Sequence, residues 1–253
     1  MSTIRILGSG TSTGVPQIGC GCEACTSPDI RDRRLRASAL VNIAGKNILI
    51  DCGPDFRQQM IDAGAPKLDA LLITHIHYDH VGGLDDLRPY CSGGPFPIYC
   101  RKDVADDIRA RLPYCFAEHP YLGVPTFDMH IIEPDTDFNI GGITVTPLPV
   151  MHARLPILGF RFGSMAYITD CKTMPESTLR LIEGLDLLII NALRPEPHPS
   201  HLSLDESLEI IAKARPERAI LTHISHQMGR HAHRSVSLPS NVELAADGLC
   251  ASF

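Results

Sequence analysis

The stretch "THIHYDH" (74 to 80) puts His75, His77, Asp79 and His80 within six residues, directly after an apolar run at 68 to 73. Packing has no use for so many imidazoles in one loop, whereas H-x-H-x-D-H is an order that ligates metal. The apolar run suits a strand buried on both faces, so the cluster begins where that strand stops. Alternate residues leaving a strand face the same way, which lets His75 and His77 meet one ion. The turn that follows swings Asp79 and His80 towards a second position. A chain with this feature needs a fold in which other strands end at the same place and supply the remaining ligands.

Three later runs have that form. His152 follows "VTPLPVM", Asp170 follows "AYIT" and His223 follows "AILT", each where an apolar run meets a polar loop. Seven candidate ligands divide between two ions: His75, His77 and His152 on one, Asp79, His80 and His223 on the other, with Asp170 bridging. Imidazole with carboxylate suits Zn or Mn, with Fe as a third choice. Two such ions hold a bridging hydroxide at neutral pH, polarise a phosphoryl oxygen and stabilise charge on entering and leaving oxygens. Asp79 thus counts as a catalytic residue as well as a ligand. The leaving alkoxide needs a proton, and His201 in "HPSHLSLDE" is the candidate donor. His198 is the alternative, because the sequence leaves the register of loop 194 to 201 open. Asp51 in "LIDCG" follows another buried strand, either as a turn residue or as a carboxylate accepting the free N–H of a ligand histidine. Asp247 in "ADGL" poses the same choice.

A second cluster, "GCGCEACTS" (19 to 27), holds Cys20, Cys22 and Cys25. A closed zinc site takes four ligands. "LTHISH" offers His226, three residues beyond His223, as the fourth, with Glu23 or Asp29 as substitutes. Reduced loop thiols are the plain alternative. Nine cysteines in a chain whose start, "MSTIRILGSG", is too short and polar for a signal peptide suggest a reducing, cytoplasmic setting, where thiols bind metal or pack in a core.

At 253 residues with 44% apolar and 21% charged residues, the whole chain reads as one domain, 1 to 253. No apolar run approaches the roughly 18 to 20 residues that span a bilayer, so no membrane partner is expected. The net charge of −6 weighs against broad binding to nucleic acid, while a small anionic substrate at a metal centre stays open. Strands are expected at 3 to 7, 38 to 45 and 47 to 53, with a helix from Pro54 to Gly64. The segment from about 88 to 135, dense in proline and with helical character only at 102 to 112, is expected to be a loop-rich insert. Beyond it come strands at 142 to 152, 159 to 171, 186 to 193 and 218 to 226, with helices near 175 to 183 and 203 to 214. The second half thus repeats the order of the first, which points to a layered α/β sandwich.

This order of motifs resembles the metallo-β-lactamase-fold hydrolases, over nearly the whole chain from "LGSGTSTGVP" to "ADGL". The resemblance implies a four-layer αββα sandwich, two mixed β-sheets flanked by helices, with a dinuclear metal centre. "GSGTSTGVPQIGCGCEAC", "ITHIHYDHVGGLDDLRP", "YITDC" and "LTHISHQ" together look like the family that includes the phosphoribosyl cyclic phosphodiesterases of the carbon-phosphorus lyase pathway. That narrower resemblance implies a phosphodiesterase acting on a small cyclic or nucleotide-like phosphodiester. It also implies a structural zinc on Cys20, Cys22, Cys25 and His226, and a general-acid or phosphate-contact role at His201. The cousin tRNA 3'-processing endonucleases normally carry a basic exosite arm, which this chain lacks in sequence. A glyoxalase-like thioester hydrolase is the other enzymatic alternative, and a zinc-scaffolded binding module the non-enzymatic one. A homodimer is compatible with all of these. "GSGTSTGVP" is expected to be a turn near the metals whose N–H groups face substrate. Arg230, His231 and His233 in "GRHAHRS" either hold an anion or form a solvated loop.

Overall fold

The computed structural model describes residues 2–119 and 121–253; Met1 and Pro120 lie outside the described residues. One seven-stranded sheet contains β1 (Thr3–Gly8), β2 (Ser38–Ile43), β3 (Lys46–Ile50), β4 (Ala70–Leu72), β5 (Phe96–Cys100) and β6 (Phe127–Ile131). The other contains β7 (Phe138–Ile140), β8 (Ile143–His152), β9 (Leu155–Phe162), β10 (Met165–Ile168), β11 (Leu187–Asn191), β12 (Arg218–Thr222) and β13 (Val242–Leu244). The chain then returns to the first sheet as β14 (Cys250–Ser252), antiparallel to β1. Both sheets are mixed in the same way: β3 to β6 run parallel, as do β10 to β13, and the remaining neighbours pair antiparallel.

The parallel strands read as unbroken apolar runs because both of their faces are covered. In β3, Ile48 and Ile50 face the opposite sheet, while Leu49 packs outward among Phe56 and Met60 of α1 (Phe56–Asp62). In β12, Ile220 faces inward, and Ala219 and Leu221 pack with Ile211 of the later helix Leu204–Ala214. Three apolar clusters result, one between the sheets and one under each helical layer, which is the four-layer sandwich expected from the sequence. Phe160, Phe162 and Tyr167 are wholly buried between the sheets. Truncating one such phenylalanine to alanine costs about 3–5 kcal/mol.

The remaining helices are α2 (Tyr78–Val81), α3 (Lys102–Arg111), α4 (Glu176–Leu181), α5 (Leu204–Ala214) and α6 (His231–Ser235). Helix α5 begins with a capping box: Ser203 Oγ accepts from Glu206 N, and the Glu206 carboxylate accepts from Ser203 N at 2.7 Å. Such a start is worth about 1 kcal/mol and fixes where the preceding loop must end.

The expected loop-rich insert at 88 to 135 is corrected by the structure. Its residues include β5 and β6, which extend the first sheet in parallel beyond β4. Phe96, Ile98 and Cys100 are buried with period two under the helical layer, but Pro97 interrupts the sequence pattern from which a strand would be read. Pro97 precedes the Ile98–Tyr99 segment that pairs with β4, so the missing N–H leaves that ladder intact. No helix among the described residues is long and apolar enough to cross a membrane.

Candidate metal centre

The ends of β4, β8, β10 and β12 converge, and the seven candidate ligands lie at or just beyond those ends: His152 closes β8, and Asp79 and His80 sit in α2. Asp51, wholly buried after β3, organises the first loop. Its carboxylate accepts from Thr74 N (2.9 Å), Thr74 Oγ1 (2.9 Å) and His80 Nδ1 (2.7 Å). Because Thr74 donates its single hydroxyl hydrogen to Asp51, its oxygen accepts from His75 Nδ1 at 2.9 Å. One carboxylate therefore orients two histidines, His80 directly and His75 through Thr74, and turns the Nε2 of each into the site.

His80 Nε2 lies 3.1 Å from Asp79 Oδ2 and 3.2 Å from Asp170 Oδ2. His223 Nε2 lies 3.1 Å from Asp170 Oδ1 and 3.7 Å from Asp79 Oδ2. Ligand atoms of Asp79, His80, Asp170 and His223 all lie within 4.8 Å of one another, and all four residues are buried. A second group, His152, Asp170 and His201, meets the same criterion, so Asp170 is common to both. His152 Nδ1 donates to Ser200 O (2.8 Å) and Asp170 O (3.0 Å), which frees its Nε2. The His77 ring sits 4.6 Å from His75 and 5.0 Å from His152, and His75 Nε2 is 3.0 Å from His77 Nδ1. The structure thus brings all seven residues together, with the His75 ring 4.2 Å from His80 and 5.7 Å from His152, and with Asp170 common to both groups.

The donor set fits divalent cations. His80 Nε2 and both ring nitrogens of His223 are buried with no hydrogen-bond partner among the described residues, a costly arrangement unless another group binds there. The charge balance agrees. Burial raises the Asp170 carboxyl, but His223 and His80 outweigh it and hold it well below the usual carboxylate range. Burial lowers His80, yet Asp51, Asp170 and Asp79 together lift it well above an ordinary imidazole. Burial, then His80, keep His75 neutral and far below its ordinary value. In the free site His80 thus carries a proton that a cation would have to displace, whereas His75 is neutral; ionised carboxylates with imidazole nitrogens suit borderline cations.

The backbone is strained at the same place. Asp51, Asp170 and His223 have φ of 61°, 55° and 55°, and Ala153, next to His152, has 51°. Left-handed conformations of non-glycine residues cost of order 1–3 kcal/mol each and persist only where surroundings enforce them. Part of that enforcement is visible. Asn191, at the end of β11, accepts from Cys171 N (2.8 Å) and donates to Cys171 O (3.0 Å), clamping the peptide that follows Asp170. Gly53 lets the β3 loop touch the ligand loop: a Cβ there would stand 2.0 Å from Asp79 O.

His201 stands at the rim. Its ring is 4.6 Å from His152 and 4.9 Å from His223, and its Nδ1 is 3.5 Å from Asp170 Oδ1. Leu202 N donates to Cys171 O (2.8 Å), and this bond with the α5 cap fixes the loop register that the sequence left open. His198 lies farther out, 5.1 Å from the His201 ring, with Nδ1 accepting from Ser200 N at 3.3 Å. Burial first, then His223, push His201 down to about 3, so it is neutral in the free site.

Cys20, Cys22, Cys25 and His226 form a separate group whose ligand atoms lie within 4.8 Å of one another. His226 Nδ1 is 3.3 Å from both Cys20 Sγ and Cys22 Sγ. The Cys25 backbone N–H, then His226, pull the Cys22 thiol down to about 6, while burial pushes Cys25 up to about 11. Asp29 is engaged elsewhere, paired with Arg31 at 2.6 Å.

Two open choices are resolved, at Asp247 and at Arg230, His231 and His233, and one expectation, for "GSGTSTGVP", is corrected. Asp247 accepts from Ser9 N (2.8 Å), Ser9 Oγ (2.7 Å) and Leu35 N (2.7 Å), so it tethers loops rather than supporting a ligand. The "GSGTSTGVP" amides turn inward: Gly10 N to Leu35 O, Thr11 N to Ile224 O, Gly14 N to Thr11 O and Val15 N to Arg34 O. His231 is buried against Arg34 Nη2 at 3.1 Å, Arg230 Nε donates to Glu23 O, and His233 is exposed, so the three do not form one anion pocket. Thr74, Asn191 and Ser200 are supporting residues that sequence reasoning missed. Only Asn191, a polar residue ending the apolar run "DLLIIN", carried a signal.

Residues 46–224 match the family described as the beta-lactamase superfamily domain. A solved structure described as a new diphosphatase from the PhnP family superposes with a TM-score of 0.93 at 40% identity, covering 100% of this chain and 97% of that one. The Zn(2+)-bound PqqB of Methylobacterium extorquens superposes with a TM-score of 0.81 at 22% identity, covering 99% of this chain and 100% of that one, and speaks for the fold alone. An octanoyltransferase of Porphyromonas gingivalis is 45% identical over 246 residues, 96% of this chain but 50% of its own length. The chain therefore spans half the length of that relative.

Proposed function

Since this chain belongs to the beta-lactamase superfamily and has the metal-dependent hydrolase fold, we propose that it is a dinuclear phosphoric diester hydrolase acting on a small cyclic or nucleotide-like phosphodiester. The observation that carries the reading is that Asp170 belongs to two groups of possible ligands, one with Asp79, His80 and His223 and one with His152 and His201. Two cations, one held by His75, His77 and His152 and the other by Asp79, His80 and His223, would supply Lewis-acid activation of water and neutralise charge on the phosphoryl oxygens.

The chain's own residues do the rest. Asp170 and Asp79 stay ionised and offset the cationic charge, while Asp51 holds His80 and His75 in the tautomers that present Nε2. His201, neutral in the free site, donates a hydrogen bond to a phosphoryl oxygen. An anion docking beside it raises its proton affinity towards the range where it can protonate the leaving alkoxide. Glu206 and Ser203 fix the loop from below, so that the ring holds its distance from Asp170.

A second reading, cleavage of a phosphoric anhydride, is favoured by the structural neighbour described as a diphosphatase. The same groups serve both reactions, which differ in the leaving group. A tRNA nuclease is disfavoured by the net charge of −6, and octanoyl transfer is not carried over from a relative of which this chain spans half. The test is turnover by Mn- or Zn-loaded protein of bis(p-nitrophenyl) phosphate, a dinucleoside diphosphate, a glutathione thioester and pre-tRNA. The expected result is hydrolysis of the first, with a loss of about 100-fold or more in kcat for His201→Ala. Thioester cleavage without any phosphoric ester turnover would refute the proposal.

A further inference from the structure

Three of the segments that deliver candidate ligands share a feature in sequence. A threonine stands immediately before the ligand: Thr74 before His75, Thr169 before Asp170 and Thr222 before His223. All three threonines are wholly buried, yet their hydroxyls are used differently. Thr74 serves Asp51 and His75. Thr169 Oγ1 donates to Asp170 Oδ2 at 2.7 Å, since the ionised carboxylate has no hydrogen to give. Thr222 Oγ1 has no partner among the described residues.

The backbone beyond Asp170 is held without Thr169. Asn191 clamps Cys171 N and O, Leu202 N donates to Cys171 O (2.8 Å), and Lys172 N donates to Met151 O (2.7 Å). Met151 N in turn donates to Thr173 O at 2.9 Å. These bonds leave the carboxylate free to rotate about its own axis. The nitrogens of His80 and His223 lie 3.2 Å and 3.1 Å from its oxygens, but they are the atoms that would hold a cation. The Thr169 hydroxyl is then the donor that sets the rotation. With Oδ2 held by it, Oδ1 is turned to His223 Nε2 (3.1 Å) and His201 Nδ1 (3.5 Å).

We propose that Thr169 is a positioning residue of the centre, whose hydroxyl fixes the rotation of the carboxylate common to both ligand groups. The inference rests on the reading of this cluster as a metal centre. A carboxylate held in one rotation is organised before a cation arrives, whereas a free one must be ordered by the binding itself, which weakens it. Thr222 is the matched contrast: the same residue type, at the same place before a ligand and equally buried, without the bond. Deleting its hydroxyl unpairs nothing among the described residues, while deleting that of Thr169 takes a donor from a buried charged oxygen.

The test compares Thr169→Val, Thr169→Ser and Thr222→Val, with Thr169→Ala repeating the deletion in a smaller side chain. Affinity of the centre for Zn or Mn is read by competition with a chelator, and kcat and KM for bis(p-nitrophenyl) phosphate are measured on the same samples. Thr169→Val and Thr169→Ala are expected to weaken metal affinity by about 10- to 100-fold and to lower kcat by about tenfold or more, with KM within about threefold. Thr169→Ser, which keeps the hydroxyl, and Thr222→Val should stay within about threefold of the unaltered protein in both measurements. Four outcomes would overturn the inference: metal affinity unchanged in both Thr169 deletions; a loss that Thr169→Ser shares, which means the hydroxyl is not its cause; an equal loss in Thr222→Val, which marks a general effect of valine beside a ligand; or an unaltered centre that takes up neither Zn nor Mn. Metal uptake without any phosphodiester turnover would refute the proposed reaction alone, and the affinities would still decide the role of Thr169.

Discussion

The histidine–aspartate centre and the thiol cluster both gather metal-binding groups, yet they are built in opposite ways. The centre is buried at the ends of four strands, on left-handed backbone at Asp170 and His223, with ring nitrogens that have no hydrogen-bond partner among the described residues. Its groups include two overlapping sets that share Asp170, the second of which takes in His201 at the rim. The thiol cluster sits on a loop, half-exposed at Cys20, Cys22 and His226, and is a single set of four. Four ligands close a tetrahedral site and leave no position for water, so such a cluster braces a structure. Strain, burial and an incomplete set mark chemistry; a complete set spanning distant segments marks support.

Substitutions should separate the two. Asp170→Asn removes the carboxylate common to both ligand groups, and turnover is expected to fall by about 10³-fold or more while the thiol cluster keeps its metal. Steady-state kinetics beside metal analysis checks this, and loss of both metal populations would join what the comparison divides. Asp51→Asn acts one step back, since it disturbs the orientation of His80 and His75 without removing a ligand. Metal affinity of the centre should weaken by about 10- to 100-fold, read by competition with a chelator. Cys22→Ser should lose one metal and lower the melting temperature by roughly 5–10 °C, while turnover stays within about tenfold once the centre is refilled.

The smallest expected effect concerns His231, which belongs to neither set. Burial, then Arg34, push it down to about 4 from an ordinary value of 6.5. As pH falls below 6.5 the unfolded chain takes up a proton there that the folded chain refuses until about 4. The stability this neutral imidazole contributes is therefore complete above 6.5 and is lost as pH falls towards 4. His231→Gln keeps an acceptor for Arg34 without the titration. Its urea midpoint should change less between pH 7 and 4 than that of the unaltered protein, and an identical decline would remove His231 from the account.

The positions of the candidate site residues were readable because chemistry imposes residue types at strand ends: His75 to His80, His152, Asp170 and His223 each follow an apolar run. His226 was readable through its spacing from His223. The long two-faced strands were equally plain, since burial on both sides writes a continuous apolar run. The short strands β7, β13 and β14 were not, because three residues hold too little periodicity and owe their pairing to partners distant in sequence. β5 was hidden by Pro97. The roles of Thr74, Asn191 and Ser200 depend on backbone geometry that residue type does not encode, and the Arg34–His231 contact joins residues almost two hundred positions apart.

The most direct test of the division between chemistry and brace is to count metal per chain by mass spectrometry, with turnover measured on the same samples. About three equivalents are expected in the unaltered protein, about two in Cys22→Ser with most turnover kept, and about one in Asp170→Asn with turnover abolished. A Cys22→Ser protein that holds its two remaining metals but has lost all turnover would contradict the account.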